Sequence, residues 1–191
     1  MKSESLLKAL TDAGLGSRRK MAEAIKQERV SINGQVTTDF RHPVNMEKDV
    51  VTLDGKALEL KPKKPVTIML NKPAGYISTV SDERGRNKVT DLLPEKYRAL
   101  RLYPVGRLDK DSTGLLLLTN DGELAYRLTH PRYEHEKEYL VQIQGRLTNE
   151  EIRRLEQGVE LEDGRTSPAR VEKADIPPFS YSITIHEGKK R

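Results

Sequence analysis

The sequence predicts an α+β protein. A small module of two helices and short strands comes first, followed by a larger domain built on a mostly antiparallel sheet. Three observations carry this. Helical periodicity is confined to short stretches, whereas strand-like runs recur and are joined by turn dipeptides such as Asn33-Gly34 and Asp54-Gly55. A charged, proline-bearing stretch, Lys61-Pro62-Lys63-Lys64-Pro65, separates the two regions. The charge is also uneven: Met1 to Lys64 holds 13 Lys+Arg against 9 Asp+Glu, the remainder 21 against 20.

Each element follows from local pattern. Ser3 to Ala13 places Leu6, Leu7 and Leu10 at helical spacing, and Gly14 stops that helix. Ser17 is an N-cap for a second helix whose apolar side is Met21, Ala22, Ala24 and Ile25. Arg18, Arg19 and Lys20 then fall in its first turn, where the helix dipole disfavours cations. Three cations, a serine hydroxyl and free N–H groups at one helix start make a site for phosphate. Val30 to Ile32 and Gln35 to Thr37 form a hairpin through Asn33-Gly34, and Val50 to Leu53 pairs with Lys56 to Leu58 through Asp54-Gly55.

Past the linker, Val66 to Leu70 is a strand that ends in the turn Asn71 to Tyr76. Ser81 to Lys88 is polar and expected to be mobile. Val89 to Leu93 begins a helical turn stopped by Pro94. Leu115 to Leu118 is a continuous apolar run bounded by Gly114 and Asn120-Asp121-Gly122, which predicts a buried strand. Glu123 to His130 reads as a short helix and Glu138 to Ile143 as a strand. Thr148 to Gln157 reads as a helix with Glu151 at the capping-box position. Ala169 to Lys173 and Tyr181 to Ile185 are further strands.

Composition removes whole classes of chemistry. Cysteine is absent and histidine occurs four times, which excludes disulfides and thiolate catalysis and leaves no metal-site spacing. Neither a P-loop nor a dinucleotide fingerprint is present, so no cofactor and no metal are expected. No apolar run approaches a membrane span, and Met1 to Leu10 lacks the core of a secretory signal, so no membrane partner and a cytoplasmic location are expected.

The segment Gly106 to Gly122, GRLDKDSTGLLLLTNDG, places Arg107, Asp109, Lys110, Asp111, Ser112 and Thr113 in a polar loop at the edge of the leucine strand. Loops braced by rigid elements often carry function, although most polar strand-entry loops are solvated surface. Asp109 and Asp111 are both available carboxylates. Two residues apart in one loop, they need not converge as an acid and base pair, which favours a structural part for Asp111. His130 and His135 have no spacing that argues for catalysis.

Two resemblances sharpen this. GLGSRRKMAEAIKQERVSINGQV is similar to the S-four-type RNA-binding domain and covers roughly residues 1–60, which implies that Ser17, Arg18, Arg19, Lys20 and the Asn33-Gly34 turn face RNA. In the second domain NKPAGYIST, GRLDKDSTGLLLLTNDG and EKEYLV match, in order, three motifs of the pseudouridine synthases. With the S-four-type domain in front, the chain resembles the bacterial branch that modifies one uridine of ribosomal RNA. Large-subunit RNA is preferred over small on overall similarity. The implied organisation is residues 1–60 for RNA binding, 61–65 as linker and 66–191 as catalytic domain.

The resemblance implies that Asp109 is the nucleophile, whether it attacks sugar or base or promotes glycal formation. It implies that Tyr139 stacks on the extruded base, where position alone would make it an ordinary sheet residue. Lys72, Arg107 and Lys110 would support the site or face RNA. Burial of Asp109 against the leucine strand would raise its pKa, so Arg107 or Lys110 is expected to offset desolvation. The family's last motif opens like Ile185 to Arg191 and continues to a basic partner of the aspartate. The chain is therefore expected to be shortened at its C-terminus, with weak activity or none. A monomer is expected. The rival reading is a non-catalytic RNA-binding or ribosome-assembly factor that keeps the fold.

Overall fold

A computed structural model describes residues 3–162 and 164–186. The chain divides into two compact units, Met1–Ala125 and Tyr126–Arg191.

The first unit opens with β1 (Ser3–Ser5), α1 (Leu6–Asp12) and α2 (Arg18–Lys26). The expected helix from Ser3 is thus shorter at its start. Ser3 to Ser5 pair antiparallel with Pro43 to Asn45, and Ser5 is extended at φ −67°, ψ 141°. Local periodicity does not anticipate a partner some 40 residues away. The strands β2 (Val30–Ile32), β3 (Gln35–Val36), β4 (Pro43–Asn45), β5 (Val51–Leu53) and β6 (Lys56–Ala57) follow. Four of them form one antiparallel sheet in the order β3-β2-β5-β6. Both of its hairpin turns have the positive φ pairs of mirror-image turns: 51° and 82° at Asn33-Gly34, 52° and 74° at Asp54-Gly55. Leu6, Leu10, Ile25, Val30, Val44 and Val51 are buried together beneath α1 and α2. Leu60 joins this core, and from the stretch read as a linker Lys63 N donates to Asp12 O (3.0 Å) at the end of α1.

A further sheet of this unit, ordered β7-β9-β8, is formed by β7 (Thr67–Lys72), β8 (Tyr103–Val105) and β9 (Gly114–Thr119). A 3-10 turn (Val89–Leu92) and the short α3 (Glu95–Arg98) lie between β7 and β8. Leu116 and Leu118 point into a core with Val89, Leu93 and Leu102. The leucine strand is not buried on both sides as expected: Leu115 is 67% exposed, and Met69 of β7, which pairs with Leu117, is 75% exposed. A strand alternates its side chains, and only one face of this sheet is covered. Ser81 to Lys88, expected to be mobile, is clasped around Asp82. Its carboxylate accepts from Arg84 N (3.1 Å) and Arg86 N (2.8 Å) and pairs with the Arg86 guanidinium.

The second unit follows α4 (Gly122–Thr129), whose last turns enter it, and a 3-10 turn at Pro131–Tyr133. Strands β10 (Lys137–Val141), β13 (Arg170–Lys173) and β14 (Tyr181–Ile185) form an antiparallel sheet ordered β10-β14-β13. The helix α5 (Asn149–Gln157) packs on β13 and carries the expected capping box: Thr148 Oγ1 accepts from Glu151 N (3.2 Å) while Thr148 N donates to Glu151 Oε2 (2.7 Å). Between them β11 (Glu160–Leu161) and β12 (Gly164–Arg165) make a two-stranded ribbon, too short to show in the sequence. All named strand pairs among the described residues are antiparallel. Among the described residues no helix is long and apolar enough to cross a membrane.

Candidate functional site

The loop between β8 and β9 is positioned from below by Lys72. Alternation along β7 puts Ile68, Leu70 and Lys72 on the core face, so the sequence directs a lysine inward, where it is 0% exposed. Its ammonium has three N–H donors and meets three carbonyls: Ser112 O at 2.7 Å, Lys110 O at 3.0 Å and Pro73 O at 3.1 Å. Gly75 N also donates to Lys110 O (2.8 Å), from a residue at φ 89° that glycine adopts without strain. The turn after β7 and the loop before β9 are thus one hydrogen-bonded block.

A second clamp holds the other side of the loop. Ser78 Oγ donates to Leu108 O (2.8 Å) and accepts from Leu108 N (3.1 Å), which fixes the residue preceding Asp109. Ser112 N closes a turn onto Asp109 O (3.2 Å). Asp109 itself is exposed, in an open cleft of about 560 Å³ shared with Ser78, Thr79, Asp82, Arg86, Arg107 and Lys110. The burial expected for its carboxylate is absent, because the apolar strand begins five residues later and turns Leu115 outward. Arg107 and Lys110 border the cleft, but neither forms an ion pair with Asp109 among the described residues. The strongest electrostatic feature nearby is Asp82. The Arg86 guanidinium beside it, then the Arg86 and Arg84 amides, pull its carboxyl down to about 2.

The structure therefore brings Lys72, Arg107, Asp109 and Lys110 together around one loop. Tyr139 belongs to the second unit, on β10 opposite Ile183 of β14, and is 49% exposed. Ser17 Oγ accepts from Lys20 N (3.2 Å) as the N-cap of α2, with Arg18, Arg19 and Lys20 exposed in the first turn. Asn33 braces its own turn, since its Nδ2 donates to Asp49 Oδ1 (3.0 Å) and its Oδ1 accepts from Val50 N (2.9 Å). Ser78, Asp82 and Arg86 do not stand out from sequence. An aspartate three residues before Gly85 is a turn signal that could flag Asp82, whereas nothing local marks Ser78. Among the described residues no group of His, Asp and Glu could hold a metal ion. Of the last motif, Glu187 to Arg191 lie outside the described residues.

The family model for RNA pseudouridylate synthase matches residues 66–191, and that for the S4 domain residues 4–51. The chain belongs to the RNA pseudouridylate synthases. This synthase is 42% identical over 192 residues to ribosomal large subunit pseudouridine synthase B of Bacillus subtilis, covering 98% of the chain and 77% of that protein. It is 41% identical over 194 residues to the protein of the same name in Vibrio cholerae, covering 99% and 60%. A solved pseudouridylate synthase superposes with a TM-score of 0.58 at 28% identity, over 98% of the chain and 79% of that structure. The synthase is an isomerase with an N-terminal RNA-binding S4 domain, as the sequence motifs implied.

Proposed function

We propose that this synthase isomerises one uridine of large-subunit ribosomal RNA, with Asp109 as nucleophile and Tyr139 stacked on the extruded base. The observation that carries the reading is the exposed Asp109 carboxylate on a backbone held from two sides, by buried Lys72 and by Ser78. A nucleophile needs access and a fixed position at once. Both relatives described above bear the large-subunit name. In the reaction the N1–C1′ bond breaks, the uracil turns, a C5–C1′ bond forms, and the proton lost from C5 is matched by one gained at N1. No electrons or groups are exchanged with a donor.

Lys72 supports the loop, while Arg107 and Lys110 draw the RNA backbone to the cleft rim. Residues 1–60 bind RNA through Ser17, Arg18, Arg19, Lys20 and the turn at Asn33, residues 61–65 link, and residues 66–191 hold the chemistry. The protein works as a cytoplasmic monomer. The test is Asp109→Asn in the full chain with ribosomal RNA tritiated at uridine C5. Tritium release should fall to background while RNA binding stays within about twofold. Release at the wild-type rate would remove Asp109 from the chemistry, and a wild-type chain that binds but never releases tritium would be an RNA-binding factor that keeps the fold.

A further inference from the structure

A cluster of rings at the start of the second unit has no part in the chemistry proposed above. Tyr126, His130, Arg132, Tyr133 and His135 are all exposed, Tyr126 to 40% and Tyr133 to 36%. The whole sequence holds seven tyrosines, four histidines and no tryptophan. Half of its histidines therefore sit in this one short segment, and composition alone does not put them there. The Tyr126 and His130 rings lie 4.4 Å apart, Tyr126 meets Tyr133 edge to face at 6.0 Å, and Tyr133 stacks on His135 at 6.0 Å with 22° between planes. The Arg132 guanidinium covers both tyrosine rings, at 4.9 and 4.6 Å, and its Nη2 donates to the Tyr133 hydroxyl at 2.6 Å.

These groups are fixed as well as exposed. His130 Nδ1 accepts from Arg132 N (3.2 Å), and His135 Nε2 is hydrogen-bonded to Arg127 O (2.7 Å). Ordering exposed side chains costs conformational entropy, and none of the five is buried in a core that would offset it. No carboxylate among the described residues pairs with Arg132. The Tyr133 hydroxyl takes one of its five N–H donors and the Tyr126 hydroxyl is bonded to the same guanidinium, leaving the remaining donors for an anion.

We infer that this array is a stacking platform for unpaired nucleotides flanking the reacting uridine, the rings taking base faces and Arg132 a phosphate between them. It rests on the proposed action on RNA. Charge does not suffice to hold a strand here, because Arg127, Arg132 and Lys137 are nearly balanced by Glu134 and Glu136. Stacking has to supply the affinity, and only unpaired bases offer a free face. Tyr139 follows His135 by four residues, at most about 14 Å of chain, so both would meet one short run of the RNA strand.

The test uses the full chain and two fluorescein-labelled RNAs, a single strand of about 12 nucleotides and a duplex of the same sequence, with binding followed by anisotropy at fixed salt. Tyr133→Leu and Arg132→Gln should each weaken single-strand binding about tenfold and leave duplex binding within about twofold, whereas Tyr133→Phe should keep both. Unchanged single-strand binding by folded variants would overturn the inference, as would an equal loss on the duplex. Tyr126→Leu serves in place of any variant whose melting shows misfolding. A wild-type chain that releases tritium from ribosomal RNA while the ring variants bind normally would sink this platform alone. Absence of release would sink the function it rests on.

Discussion

Lys72→Met should loosen the Asp109 loop without emptying the core. Methionine keeps the length of the stem but donates no hydrogen bond. Of the three carbonyls that lose the ammonium, Lys110 O retains Gly75 N, so Pro73 O and Ser112 O are the two left short of a donor. At about 1–3 kcal/mol for each unsatisfied buried group, the gross loss is about 2–6 kcal/mol. Removing a buried ammonium recovers part of its desolvation, and water can enter from the exposed loop. A net destabilisation of about 2 kcal/mol is expected, read as a shift in the urea midpoint at unchanged m-value. The kinetic effect should be larger, because a displacement of about 1 Å can cost on the order of a hundredfold in rate. Tritium release should show that loss in kcat, with KM for ribosomal RNA nearly constant. A variant that unfolds at the wild-type urea concentration and turns over at the wild-type rate would refute the anchoring argument. A loss confined to KM would instead move Lys72 to RNA binding.

Other perturbations test separate parts of the chain. The Asp82 carboxyl titrates lower in the folded protein than in the unfolded chain, so its contribution is fully present above about pH 4. That contribution is lost as pH falls toward about 2, and the Asp82 carboxyl signal in NMR should titrate near that value in wild type. In an Arg86→Gln variant it should rise toward the ordinary range. Ser17→Ala should cost about 1 kcal/mol in denaturant unfolding through loss of the α2 cap. Arg19→Gln should leave stability within about 0.5 kcal/mol and lower the salt dependence of RNA binding by about one phosphate contact. Leu118→Ala, at a fully buried position of β9, should destabilise by about 2–5 kcal/mol in urea unfolding.

Legibility in the sequence follows the range of the interaction. The hairpins at Asn33-Gly34 and Asp54-Gly55, the Ser17 cap and the Thr148–Glu151 capping box depend on residues within four positions of each other, and each is readable. β1 reads as helix because its helical pattern is local while its pairing to Pro43–Asn45 is distant. The leucine run predicts a strand, but its composition does not say that only one face is covered. Lys72 illustrates the same limit at the site: motif order points to it, yet burial and the carbonyl partners depend on residues 38 and 40 positions away. Asp109 is legible as a motif residue and its exposure is not.

The pairing of β7 with β9 sets Lys72 opposite Gly114, at the mouth of the loop. A slip of one residue in that ladder would send Lys72 to the outer face and turn Asn71 inward, and an asparagine is too short to reach three carbonyls spread from Pro73 to Ser112. Correct strand registration and a correctly placed Asp109 are then one event. The lysine works as a gauge of assembly: the same error that misaligns the strands withdraws the support beneath Asp109.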